Sequence, residues 1–531
     1  MPSDCIPFRE TNYFSNLICD YLDENAELCQ FYNRFPKLNA FGDQIDEKKE
    51  NYNHTFRVTL SKVIRSQYEG LSCSKLTLGN IDSLQEENTF TVTTGHQLNL
   101  FTGPLYFLYK ISSVINLAKQ LKKEYPSYNV IPVYWMATED HDFEEINYFN
   151  FQGRKVQWSK EASGPVGRLS TNGLDQVLEV FSNVIGKSEN AQELISLFRQ
   201  AYVDHDNLAD ATRYLANALF GDQGLVIVDG DNADLKQMFS PYVKRELFEQ
   251  LAFKEVSDTS AKLAELSHKV QVNPRDINLF YIEDGLRERI VYENDMFGVL
   301  NTTIRWNKDE LIQLLESHPE RFSPNALLRP LFQEVILPNL CYTGGGGELA
   351  YWFQLKAYFK SVGITFPMLL LRNSVLITTA KQATKLEKLG LSMADLFDKQ
   401  EDLRSNQTKR LSEIDIDFSN QRAFLKDQFK ALYKLAEQTD KSFVGAVAAQ
   451  EKKQLKGIDN LEGRLLRAQK RKLAETLDRI TTLQDELFPR QSLQERNTNF
   501  SEFYLEYGKS LVNILLDELD PLIGEFSIIE F

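Results

Sequence analysis

Three short stretches combine residue types and spacings that could do chemistry. In TTGHQLNLFTGPLY, Thr94-Gly95-His96-Gln97 is followed by Phe101-Thr102-Gly103-Pro104, so two glycine turns carry hydroxyl, imidazole and amide groups. Reversing a chain needs only the glycines. Pro104, placed in a first helical turn, would leave free backbone N–H groups for an anion. The second stretch, EDHDFEE, crowds Glu139, Asp140, Asp142, Glu144 and Glu145 around His141. Such carboxylates repel one another unless a cation, an amine or hydrogen-bond donors relieve them. The readings are recognition of an amino group, general-base chemistry by His141, metal binding, or N-capping of the next helix by Asp140 or Asp142. No second histidine stands at ligand spacing, which counts against metal alone. The third stretch is Tyr342-Thr343-Gly344-Gly345-Gly346-Gly347-Glu348. Four glycines lose much conformational entropy on ordering, and close approach of a ligand to backbone N–H groups is the economical reason for them. No Gly-Lys-Ser/Thr follows, so this is not a Walker A loop.

Each stretch needs an element to hold it. NTFTVTT is a short β-branched run before the first, and FTGPLYFLYKISSVINLAKQLKK after it has an apolar stripe at helical spacing. VIPVYWMA, before the acidic cluster, is continuously apolar, as in a strand buried on both faces. GLVIVDGDN follows a helical segment and ends in Asp229-Gly230-Asp231. Alternation of strands and helices predicts a doubly wound parallel sheet, which binds ligands at the carboxyl ends of its strands. Arg329, in the segment before the glycine run, could pair with a carboxylate or phosphate.

The spacing predicts an N-terminal helical segment over 1–88 and core over 89–254. A subdomain with a β-hairpin about Asp284-Gly285 is inserted over 255–320, and core resumes over 321–379. Heptads over 380–490 predict an antiparallel coiled-coil hairpin broken near Lys456-Gly457, and 491–531 returns to the core. Residues 381–490 hold 22 Lys and Arg against 18 Asp and Glu, a net +4 that leaves −19 for the remainder.

The composition is that of a globular protein, 42% hydrophobic and 25% charged over 531 residues. A net charge of −15 argues against a general nucleic-acid or anionic-membrane binder. Five scattered cysteines suggest neither a disulfide framework nor a zinc site. With no signal-like N-terminus and no apolar run of transmembrane length, a cytoplasmic protein is expected.

TGHQLNLFTGPLY, PVYWMATEDHDFEEIN and RPLFQEVILPNLCYTGGGGELAYW, in this order before a coiled-coil tail, resemble the BshC family, the cysteine ligases of bacillithiol biosynthesis. The resemblance implies an α/β fold: a Rossmann-like core with connecting-peptide insertions, similar to class I aminoacyl-tRNA synthetases, and a coiled coil that forms a homodimer. It implies amide formation between cysteine and glucosaminyl-malate, with ATP or another nucleotide as cofactor and no metal beyond an accompanying Mg. Catalytic roles would then fall to Asp140, His141 and Asp142. Nucleotide contacts would fall to Gly95, His96, Gln97, Thr102, Gly103, Gly344, Gly345, Gly346 and Gly347. Substrate contacts would fall to Glu139, Asn147, Arg329, Glu348 and Tyr351. This chain departs from the family pattern at His96, where a Gln often stands, and in GGGGE, where a proline often precedes the last glycine. The alternatives are a metal-dependent hydrolase using Asp140, His141 and Asp142, or a coiled-coil adaptor whose body only binds a ligand.

Overall fold

A computed structural model describes residues 4–531, which form two compact units. The first comprises residues 4–377 and 493–529, and the second is centred on residues 378–492.

The first unit is built on five parallel strands: β1 (Thr89–His96), β2 (Asn129–Met136), β3 (Val226–Asp229), β4 (Asn339–Gly344) and β5 (Met368–Leu371). Their spatial order is β5-β4-β1-β2-β3. Every residue of β1 is buried, which accounts for a run with no polar face. From β1 the chain steps outward through β2 to β3, then returns to lay β4 on the other side of β1. Strand order therefore reverses between β1 and β4, and a parallel sheet opens a crevice at that point. Helices α1 (Tyr106–Glu124), α2 (Ala233–Glu249), α3 (Leu328–Ile336) and α4 (Gly346–Trp352) bring side chains to it.

Pro104 lies before α1, not in its first turn, and the nearby N–H groups are taken. Leu105 N–H donates to the Thr498 carbonyl at 2.9 Å, Phe107 N–H to Pro104, and Leu108 N–H to Leu105. Three N–H groups at the expected anion seat, those of Leu105, Phe107 and Leu108, are therefore taken by the chain itself.

A separate antiparallel sheet contains Leu279–Glu283 paired with Leu286–Glu293 about the Asp284-Gly285 turn, with Phe322–Pro324 on the other edge of Leu279–Glu283. Residues 493–499 are fixed by charge as well as packing. The Glu495 carboxylate is fully buried, accepts from Arg372 at 2.7 and 2.9 Å, and accepts from the Val375 N–H at 3.2 Å.

In the second unit, α5 (Ser419–Ala436) and α6 (Lys441–Lys472) form a helical hairpin. Arg422 pairs with Asp459 and Glu462, and Tyr433 with Glu451, which fixes the antiparallel register. The expected break near Lys456-Gly457 is absent. α6 runs straight through both residues, and the turn lies at 437–440. There Asp440 caps α6 by accepting from the N–H groups of Ser442 and Phe443 at 2.8 and 3.0 Å. No helix among the described residues is long and apolar enough to cross a membrane.

Replacing Glu495 with Gln leaves the Arg372 guanidinium buried without its counter-charge, a change that costs about 3–5 kcal/mol. All four tryptophans lie in the first unit, so denaturant unfolding followed by tryptophan fluorescence reads it. The expected result is that loss for Glu495→Gln, and a loss below about 1 kcal/mol would contradict it.

Candidate active site

The crevice at the strand-order reversal is a cavity of about 340 Å³. One wall is Gly95, His96 and Gln97 at the end of β1, and a second is Trp135 to Asp140, leaving β2. Tyr342 of β4, with Glu348 and Tyr351 of α4, forms the third, and Arg329 of α3 closes it.

The first and third walls are joined by a residue that the motifs did not single out. Lys110, one turn after Tyr106 on α1, is almost fully buried. Its ammonium donates to the Gly95 carbonyl at 2.7 Å and to the Glu348 carboxylate. Burial pushes its pKa down, and the Glu348 charge opposes that shift. Glu348 also accepts from the Tyr342 hydroxyl at 2.9 Å. The sign of Lys110 in the sequence is a lysine on the buried face of an apolar helix, four residues after Tyr106.

Arg329 donates through Nη1 to Gln333 at 3.0 Å, and its guanidinium carbon lies 5.5 Å from the centre of the Tyr342 ring. Its Nη2 is buried with no hydrogen-bond partner. Burial works against its charge, but Tyr342, Tyr351 and Glu348 outweigh that and raise its pKa. A Cβ at Gly95 would lie 3.1 Å from the Tyr342 hydroxyl and 3.5 Å from Arg329, so this glycine serves close packing.

The acidic stretch is relieved residue by residue. Lys236 of α2 sits 2.7 Å from Glu139 and 2.9 Å from Asp231, and Arg168 holds Asp231 from the other side. Burial raises the Glu139 pKa while Lys236 opposes it; the two carboxylates raise that of Lys236 against its own burial. Asp140 accepts from the His141 N–H at 2.7 Å and from Gln97 Nε2 at 2.9 Å. The same Gln97 nitrogen lies 2.9 Å from Glu145. Asp142 stands at the N-cap position of the helix Phe143–Ile146 but makes no capping bond, so capping does not explain it.

Other expected site residues are placed differently. Neither His141 nor Asp142 lines the cavity. The His141 ring is 41% exposed and its Nδ1 is 2.7 Å from Arg287 Nη1, whose N–H can only donate. Asn147 is buried away from the cavity, 3.3 Å from Glu144. None of Gly344 to Gly347 lines it either. Gly344 ends β4, where a Cβ would lie 3.0 Å from the Tyr342 ring, while Gly346 and Gly347 start α4. Gly344 thus makes room for the Tyr342 and Glu348 side chains. Thr102 lies outside the cavity, and Gly103 lines an adjoining recess. Lys236 and Arg287 come from segments far along the chain, with no local pattern to mark them. Among the described residues, no group of three or more His, Cys, Asp or Glu could hold a metal ion.

Two family models match this chain. "Bacillithiol biosynthesis BshC, N-terminal Rossmann-like domain" covers residues 1–373, and "Bacillithiol biosynthesis BshC, C-terminal coiled-coil domain" covers residues 375–531. The chain belongs to the BshC family. Similar BshC relatives, each named "Putative cysteine ligase BshC", come from Flavobacterium johnsoniae, Christiangramia forsetii and Cytophaga hutchinsonii. The first is 59% identical over 100% of both chains, and the second 56% identical over 100% of this chain and 99% of its own. The third is 35% identical over 97% and 96%.

His96 has a measurable consequence for stability. It is buried beside Lys110, and burial first and that charge second hold its pKa well below the usual histidine value. The folded chain keeps it neutral while the unfolded chain takes up a proton below about pH 6.5, so stability is lost as pH falls. Between about pH 7 and about pH 5.5 the loss from His96 is about 1 kcal/mol. His96→Gln should flatten the pH dependence of the unfolding midpoint by that amount, and an unchanged slope would contradict a neutral buried His96.

Proposed function

We propose that this chain is a ligase of bacillithiol biosynthesis that joins the carboxyl group of cysteine to the amino group of glucosaminyl-malate. The observation that carries the reading is one cavity with a free guanidinium nitrogen at one end and relieved but available carboxylates at the other. Such a site suits a carboxylate and an amine that must meet. The names of the relatives supply the donor, cysteine.

Arg329 Nη2 is the seat for the anionic carboxyl end of the donor, with Tyr351 and Glu348 around it. The faces of Trp135 and Met136 give a thiol side chain an apolar wall and keep water away. Gly95, His96 and Gln97, at the end of β1, are the groups that would hold a nucleotide. A nucleotide bound with Mg would supply a leaving group for the cysteine carboxyl, since amide formation from a free carboxylate is uphill in water. Asp140, hydrogen-bonded by Gln97 Nε2 and the His141 N–H, accepts the proton from the amine as its nitrogen bonds to the acyl carbon. Glu139, fixed by Lys236, keeps that wall negative and steers the ammonium. His141 and Asp142 act by positioning the Asp140 loop, His141 through Arg287.

The test is an in vitro assay with cysteine, glucosaminyl-malate and ATP that follows the thiol product. Asp140→Asn, which keeps the side-chain shape, should lower turnover about 100-fold or more with an unshifted melting temperature. Undiminished product from the folded variant would remove Asp140 from the chemistry, and no amide from the wild type would remove the function.

A further inference from the structure

A second recess, of about 290 Å³, adjoins the cavity across Gln97 and Tyr106, which line both. Its floor is a strained turn. Phe101, Thr102 and Gly103 take φ of 49°, 68° and 62° in succession, and a left-handed non-glycine residue costs on the order of 1 kcal/mol. The turn is clamped by Asn499, whose side-chain N–H groups donate to the Phe101 and Gly103 carbonyls at 2.8 and 2.6 Å. That clamp fixes residues 496–499 at the rim.

Two amide oxygens and one guanidinium of the recess lack partners. Asn99 is only 7% exposed; it donates to the Glu145 carbonyl at 3.2 Å, but its Oδ1 accepts nothing. Asn150 Oδ1 is likewise buried and unpartnered. Arg496 lines the recess with a guanidinium that has no hydrogen bond or ion pair among the described residues. Glu145 stands at the boundary, sharing the Gln97 nitrogen with Asp140. A buried acceptor without a donor costs about 1–3 kcal/mol, and a ligand that supplies the donor explains why it persists.

We propose that this recess is the acceptor subsite and takes a hydroxyl-rich amine that also carries a carboxylate. Sugar hydroxyls donate to Asn99 and Asn150, the carboxylate lies on Arg496, and the amine sits at the Asp140–Glu145 pair on the boundary. The assignment rests on the ligase reading and adds which face of the cavity each substrate enters. It also makes Arg496 the residue that distinguishes an acidic amino sugar from a neutral one.

Isothermal titration of the full chain with glucosaminyl-malate and with methyl glucosaminide, which lacks the malate carboxylates, tests it. Arg496→Ala should weaken glucosaminyl-malate binding about 10- to 100-fold, as expected for losing a charge-assisted hydrogen bond, and leave methyl glucosaminide unaffected. Arg496→Lys should recover part of the loss. Arg496 is exposed and bonded to nothing, so its replacement should leave the fold intact. Unchanged glucosaminyl-malate affinity in Arg496→Ala, or equal weakening of both ligands, would overturn the subsite while leaving the ligase reading standing. A wild-type chain that binds no glucosaminyl-malate would overturn both.

Discussion

The Lys110 ammonium, buried at the carboxyl edge of the parallel sheet, is the group on which the candidate site depends. By reaching the Gly95 carbonyl and the Glu348 carboxylate together, it holds the loop after β1 against the start of α4. Glu348 then takes the Tyr342 hydroxyl, and Tyr342 carries the Arg329 guanidinium on its face. An ammonium away from water is costly unless its partner is ionised and its hydrogen bonds are met. The glycines that end β1 and β4 follow from the same constraint. Gly95 and Gly344 leave room for Tyr342, Arg329 and Glu348 to converge, and a Cβ at either position would crowd them.

The acidic wall is organised by the strength of what opposes each carboxylate. Glu139 faces a full positive charge on Lys236, itself shared with Asp231. Asp140 and Glu145 share the neutral amide of Gln97, and Asp140 also accepts from the His141 N–H. A carboxylate held by an amide keeps its affinity for an ammonium, whereas one held by a lysine has largely lost it. That difference separates the steering role proposed for Glu139 from the proton-accepting role proposed for Asp140.

What the sequence made legible was local. β1 is a short β-branched run and β2 and β3 are short apolar runs, and the acidic stretch had to meet donors whatever its partners. The hairpin turn was misplaced because heptad spacing continues through helix ends, and Gly457 is tolerated inside a long helix. The stronger mark was Asp440, a capping residue followed by a helical run. His141 drew attention as a base because of its type, yet its ring nitrogen is engaged by Arg287, 146 residues away. The glycine run looked like a ligand cradle because entropy demands a reason for four glycines, and side-chain packing supplies one for Gly344, whose Cβ would crowd Tyr342 and Glu348. Arg496 carries no motif, and only the return of the chain to the first unit places it beside Gln97 and Tyr106.

Activation of the donor carboxyl within this cavity is the central claim, and isotope transfer measures it directly. The chain is supplied with cysteine bearing ¹⁸O in its carboxyl group, glucosaminyl-malate and ATP, and the products are analysed by mass spectrometry. The predicted result is one ¹⁸O atom passed to AMP or to phosphate for each amide formed. Amide that forms with no label in either nucleotide product or phosphate would contradict activation of the cysteine carboxyl by a nucleotide at this site.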